Sequence, residues 1–341
     1  MTTSSRRKPQ LGAASPPDGK TDKERSDIIV FVDEATANGF GVYHSQRVAG
    51  ALGGKVLLVH VQFRPNGDNA PVDPVEWDIR KQKAQKWLDK LIKNANEDGV
   101  PCEAQLLEGH CRSQIQSIMG RHPRAIAAML RPRSSQGWNL SELAWGVLRS
   151  SGAGVLMIPE NAKVDRKKTY ERILVPLDGS VRAESALPKA VLLAKAEAAE
   201  LVLCHVAPQP ALSALGMADR EAENLHELVC EKNEKAGKNY LARICNRLAQ
   251  NGLNISAHIS NDGDARRSLI DLIAREKADF VVMATHGESG HKDVPTGDVA
   301  RYVLERADIP VLLVRPGNGR QGNHVFGKLS TEGVRQPVGT D

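Results

Sequence analysis

Aromatic side chains are scarce in this 341-residue chain, at 4%. A core must therefore be built from Val, Leu, Ile and Ala, and there is little material for stacking on nucleic-acid bases. Long apolar runs are missing as well. No stretch approaches the roughly 18 residues of a membrane helix, which excludes a helical membrane protein. Residues 1–27 hold no apolar segment, so a secretory leader is not expected. The cysteines are an odd number, five, at Cys102, Cys111, Cys204, Cys230 and Cys245, and none forms a CxxC pair. That disfavours a disulfide scaffold and a standard zinc site, and the expected setting is a reducing cytoplasm. A strong charge bias is absent too. The net charge is +5, with residues of both signs interleaved. The concentrated basic face of a nucleic-acid binder is not legible.

What is present is an internal repeat. Residues 28–61 align without a gap on residues 173–206, at an offset of 145. Asp33 falls on Asp178, and His60-Val61 on His205-Val206. Residues 109–129 lie on 263–283, and 154–158 on 310–314, in the same order. Three ordered matches indicate a duplicated domain. The expected division is a first domain over 27–160, a polar linker over 161–169 and a second domain over 170–316. The flanking segments 1–26 and 317–341 are rich in Ser, Pro, Gly and charge. Such segments cannot bury enough apolar surface to offset their chain entropy, so disorder is expected there.

Each half alternates β-branched apolar runs with helical patterns. The runs at 28–32, 55–61, 125–129 and 155–158 have counterparts at 173–175, 201–206, 280–283 and 311–314. Runs of this kind suit strands buried on both faces. Helices are expected over 75–97, 185–196 and 219–250, with a shorter one led by Asp264. The alternation predicts an α/β fold, a parallel sheet covered by helices on both faces. The more polar runs 102–107 and 255–259 read as edge strands.

Certain residues carry a resemblance. The second half reads Ile173-Leu-Val-Pro176-Leu-Asp178-Gly-Ser180, then Cys204-His205-Val206, then Met283-Ala284-Thr285-His286-Gly287. Gly297-Asp298-Val299 follows after nine residues, and Ile309-Pro310-Val-Leu-Leu-Val314 closes the half. This order and spacing resembles the universal stress protein family over residues 170–315. The first half resembles the same fold through the repeat, with worn motifs. The resemblance implies two tandem Rossmann-like domains of the adenine nucleotide alpha hydrolase type, each a five-stranded sheet of order 3-2-1-4-5. It implies ATP, with Mg²⁺, in a crevice between strands 1 and 4 of the second half. The binding residues would be Pro176, Asp178, Val206, Met283, Ala284, Gly287, Gly297, Asp298 and Val299. In single-domain relatives the last strand pairs between subunits. Here 155–158 and 311–314 lie in one chain, so an internal dimer through these two strands is expected, with further homo-oligomerisation open.

Two residues depart from the family's phosphate loop. Ala284 replaces a glycine, and Asp298 replaces a serine or threonine. A carboxylate there repels phosphate, by about 1 kcal/mol at 4 Å in water and about 4 at an effective dielectric of 20. A divalent ion could instead bridge the two, since Mg²⁺ favours a carboxylate or two plus phosphate oxygens. In the first half the loop is shorter, with one glycine, Gly137, and two arginines, Arg131 and Arg133, that could bind an anion or stand as an exposed basic loop. His60 and His205 repeat at strand ends, and a packed, hydrogen-bonded role is expected of both. No GxxxxGK[ST] phosphate loop and no nucleophile–base pair is legible, so no catalytic residue is named. The leading expectation is a cytoplasmic stress-response protein that acts through protein association. A scaffold with both crevices closed and an ATP-dependent enzyme of the same fold are its rivals.

Overall fold

The computed structural model describes residues 26–33, 40–62, 73–96, 100–131, 142–162, 169–210, 219–287 and 296–316. The expected tails, apart from Ser26, and most of the expected linker lie outside the described residues. The first half runs β1 (Ile28–Phe31), α1 (Phe40–Leu52), β2 (Val56–Gln62), α2 (Pro74–Asn96) and β3 (Cys102–Glu108). It continues with α3 (Cys111–Arg121), β4 (Ile126–Arg131), α4 (Glu142–Ser150) and β5 (Gly154–Pro159). The second half has β6 (Arg172–Pro176), α5 (Val181–Glu184), α6 (Leu187–Glu197), β7 (Glu200–Val206) and α7 (Asp219–Ala249). It ends with β8 (Ile255–Ser260), α8 (Ala265–Arg275), β9 (Phe280–Ala284), α9 (Asp298–Arg306) and β10 (Val311–Val314).

Local chemistry explains several starts. Asp73 accepts the Val75 N–H at 2.8 Å, and Pro74 opens α2 with its fixed φ. Ser180 Oγ accepts the Ala183 N–H at 3.1 Å to cap α5. Asp264 accepts the Arg266 N–H at 3.0 Å at the head of α8.

All ten strands form one sheet, in the order β3-β2-β1-β4-β5-β10-β9-β6-β7-β8. Each half is parallel and has the expected 3-2-1-4-5 order. The halves join where β5 and β10 run antiparallel, with Leu312 opposite Leu156. Gly154 sits at this seam with φ at +150°, and a Cβ there would lie 2.2 Å from the Leu313 carbonyl oxygen. Pairing covers two apolar strand edges that would otherwise invite association. The remaining edges are β3 and β8, the two polar runs.

Alternate residues of each strand enter opposite apolar layers. Ile28, Val30, Ile173 and Val175 pack under α1, α2, α6 and α7. Ile29, Phe31, Leu174 and Val281 pack under α3, α4, α8 and α9. Both layers cross the seam without interruption.

On one face, α1 meets α6, its repeat mate, through a polar cluster. Arg47 pairs with Glu197, and its Nη1 donates to the Tyr43 hydroxyl at 2.6 Å. Glu197 also accepts the Tyr170 N–H at 3.2 Å. His44 Nδ1 lies 2.6 Å from the Tyr170 hydroxyl. Burial, then the Arg47 charge, lowers the His44 pKa to about 4. The unfolded chain takes up this proton near pH 6.5, whereas the folded protein refuses it until pH 4. Stability tied to His44 is thus fully present above pH 6.5 and falls as pH drops towards 4, by about 3 kcal/mol. Urea denaturation at pH 7 and pH 4.5 should show a smaller acid loss for His44→Gln than for the parent. Equal losses would contradict this account.

Candidate functional site

The second half reverses its strand order between β6 and β9, and a crevice opens beyond the carboxyl ends of these strands. Open parallel sheets bind ligands at such points. The crevice holds about 270 Å³. All nine residues expected from the resemblance line it: Pro176, Asp178, Val206, Met283, Ala284, Gly287, Gly297, Asp298 and Val299. Their spacing in sequence exceeds one hundred residues, and the parallel register brings them together.

Asp178 leaves the end of β6 in a tight turn. Its Oδ1 accepts the Ser180 N–H at 3.0 Å, which fixes the carboxylate. Its Oδ2 faces Gly287, where an added Cβ would fall 2.0 Å from that oxygen. Any side chain at 287 would displace Asp178, which gives a steric reason for this glycine.

The base of the β9–α9 loop is held shut. The Thr285 carbonyl accepts the Gly297 N–H at 2.8 Å and the Thr296 hydroxyl at 3.2 Å. Residues 288–295 between them, including His291, lie outside the described residues. Gly297 caps α9 and offers no side-chain acceptor to its first-turn amides. Those amides and the positive end of the helix line the crevice and suit an anion.

Asp298 is the first residue of α9, not its cap. Gly297 holds the cap position. The exposed Asp298 carboxylate also has a cation in its field. Arg266, at the start of α8, bonds Asp264 Oδ1 at 3.2 Å. Its pKa is raised first by Asp264 and further by Asp298. Sequence reasoning missed Arg266, because no local pattern links it to a residue 32 positions away. It also missed Thr285 and Thr296. Cys204 also lines the crevice, with a thiol pKa raised by burial.

The paired histidines are architectural. His205 Nδ1 lies 2.8 Å from the Leu177 carbonyl oxygen and His60 Nδ1 2.9 Å from that of Val32. Each ring also meets an aromatic edge-to-face, Tyr240 and Trp87 respectively. Among the described residues, no three His, Cys, Asp or Glu side chains group to hold a metal ion. No described helix is long and apolar enough to cross a membrane.

The first-half crevice differs. Asp33 is exposed at the end of β1, and the loop at 132–141, including Arg133, lies outside the described residues. Leu130 stands where Ala284 stands in the second half. Arg131 is not part of an exposed basic loop. Its side chain is buried and donates to the carbonyls of Leu304 and Ala307, at the end of α9.

These features define an α/β Rossmann-like protein with a crevice at the switch point of its second half. Residues 169–315 match the profile of the universal stress protein family. This segment is similar to universal stress protein domains. It is 28% identical over 146 residues to a universal stress protein of Methanocaldococcus jannaschii, covering 43% of this chain and 82% of that protein. A universal stress protein of Bacillus subtilis is 27% identical over 148 residues, covering 43% of this chain and 99% of its own. The solved structure of a universal stress protein from Archaeoglobus fulgidus superposes on 86% of this chain and 100% of its own, with a TM-score of 0.62 and 18% identity. That likeness extends the fold across both halves.

Proposed function

We infer that the second-half crevice binds an adenine nucleotide, and that the protein serves the stress response by associating with other proteins. The observation that supports this is the convergence of nine family-type positions on one crevice. Asp178 and Val206 would hold the ribose and base. The amides at the head of α9 would receive phosphate. The small side chains of Ala284, Gly287 and Gly297 suit close approach of a ligand to backbone. Asp298 is the residue that fits a free triphosphate poorly, and Arg266 offsets it in part. Mg²⁺ bound between Asp298 and phosphate would remove the conflict altogether.

Mass spectrometry of molecules released from the purified protein should find an adenine nucleotide. Calorimetric titration of ATP into the parent and Asp298→Ser, each with Mg²⁺ and with EDTA, tests the phosphate end. In EDTA, Asp298→Ser should bind about tenfold tighter, corresponding to ~1.4 kcal/mol. Asp298 does not cap α9, so the change should cost less than about 1 kcal/mol of stability, the size of a helix-dipole interaction. If Asp298 carries Mg²⁺, the substitution should weaken binding in Mg²⁺. No change under either condition would mean that phosphate does not reach α9, and the scaffold reading would replace this one.

A further inference from the structure

The second-half crevice has walls of unequal strength. The strand ends are fixed by the sheet ladder. Beside them stands α5, a single turn of four residues. A helix this short is not stable on its own hydrogen bonds and relies on tertiary contacts. Yet α5 carries Ala183 into the crevice, and its cap, Ser180, holds the Asp178 carboxylate through its N–H. Whatever fixes α5 therefore also fixes Asp178.

The last residue of α5, Glu184, is tied to α7. Its Oε1 accepts the Tyr240 hydroxyl at 3.2 Å, and its Oε2 accepts Arg247 Nη2 at 2.8 Å. Tyr240 and Arg247 lie two turns apart on α7, so they share a face. The Arg247 side chain is half exposed, and its ion pair alone adds little. Tyr240 is buried, with the Arg243 guanidinium 5.7 Å from its ring centre. Burial, then the Glu184 charge, raises the Tyr240 pKa, so its hydroxyl stays a donor. The same ring meets His205 edge-to-face, and His205 bonds the carbonyl of Leu177, the residue before Asp178. One tyrosine thus braces the turn at 177–184 from both ends.

The repeat supplies a control within the same chain. Cys102 and Ile255 hold the same place in the two strand registers, and α2 and α7 each end six residues before them. Trp87 then matches Tyr240, and it meets His60 as Tyr240 meets His205. The tether has no counterpart. Trp87 has no hydroxyl, Asn94 stands for Arg247 and, by sequence, Gly39 stands for Glu184. The first half forms the same five-stranded order without these three groups, so the fold does not require them. They occur in the half whose crevice gathers the family-type positions.

We propose that Glu184 is a positioning residue of this site: through Tyr240 and Arg247 it pins α5 to α7 and holds the Asp178 carboxylate ready for a ligand. The effect on affinity rests on the nucleotide reading above, whereas the order of the turn does not.

Amide hydrogen exchange, followed by NMR on the ligand-free full-length protein, tests the order of the turn. Glu184→Ala and Tyr240→Phe should each speed exchange at the Ser180 and Ala183 amides by about tenfold more than at those of Leu174 and Leu203, which report global opening. Glu184→Gln keeps the acceptor for Tyr240 and should recover most of the protection. Calorimetric titration with ATP should rank the variants in the same order. Glu184→Ala and Tyr240→Phe should bind about fivefold more weakly, because less of the protein is binding-competent at any moment. Unchanged exchange at Ser180 and Ala183, or an equal rise at all four amides, overturns the proposal whether or not ATP binds. So does faster local exchange with unchanged ATP affinity. A parent that binds no ATP overturns the nucleotide reading instead, and the exchange rates then decide the tether by themselves.

Discussion

Asp178→Ala should abolish ATP binding, while Asp33→Ala should leave it nearly unchanged. The two aspartates are repeat mates, so composition alone predicts equal effects. Their surroundings differ. The Asp178 carboxylate is held by the Ser180 N–H and faces Gly287, in a crevice built of small side chains. Asp33 is exposed, Leu130 replaces Ala284, and the neighbouring Arg131 is committed to the end of α9. A carboxylate that accepts ribose hydroxyls makes charged hydrogen bonds of about 1.5–3 kcal/mol each. Loss of two, with the turn that positions them, weakens binding by about a hundredfold or more. Gly287→Ala should resemble Asp178→Ala, because the new methyl and the Asp178 oxygen cannot share one place. Calorimetry on the three variants, with circular dichroism to confirm folding, checks the assignment. Equal loss from Asp33→Ala and Asp178→Ala would contradict it.

Features that repeat with a fixed offset were legible in the sequence. The strands and the polar edges β3 and β8 follow from matching one half to the other, where period and spacing carry the information. The strand order, the β5–β10 seam and the nine crevice positions follow instead from the resemblance to the universal stress protein family. Features that break the repeat were not legible. Arg47 and Glu197 pair across the halves, but their repeat mates are Leu192 and Leu52, so neither copy announces the contact. The packing of α8 beside α9 brings Arg266 into the field of Asp298, which no local pattern encodes. Gly287 was recognised for its place in the loop, but its steric reason, the Asp178 oxygen, is a tertiary one. The arginines after β4 looked like a solvated loop because their neighbours are polar. Only the seam brings α9 within reach of Arg131.

That contact sets the largest expected change in stability. Arg131→Met should destabilise the protein by about 3 kcal/mol, the cost of stripping a buried charged donor from its acceptors. Two effects compete. Methionine avoids the desolvation of a guanidinium, which burial here penalises enough to lower the Arg131 pKa. Against that, the carbonyls of Leu304 and Ala307 lose their donor at the negative end of α9, inside the joint between the halves. Unpaired buried carbonyls cost about 1–3 kcal/mol each, so the loss should win. Arg131→Lys should recover a fraction, because an ammonium cannot present the fork that reaches two carbonyls at once. Arg267→Met, at a side chain that is 81% exposed, should stay within about 0.5 kcal/mol of the parent. Urea denaturation of the three variants measures all of this. If Arg131→Met proves as stable as Arg267→Met, the halves are held by the apolar layers and the β5–β10 ladder alone, and the arginine fork contributes nothing to their union.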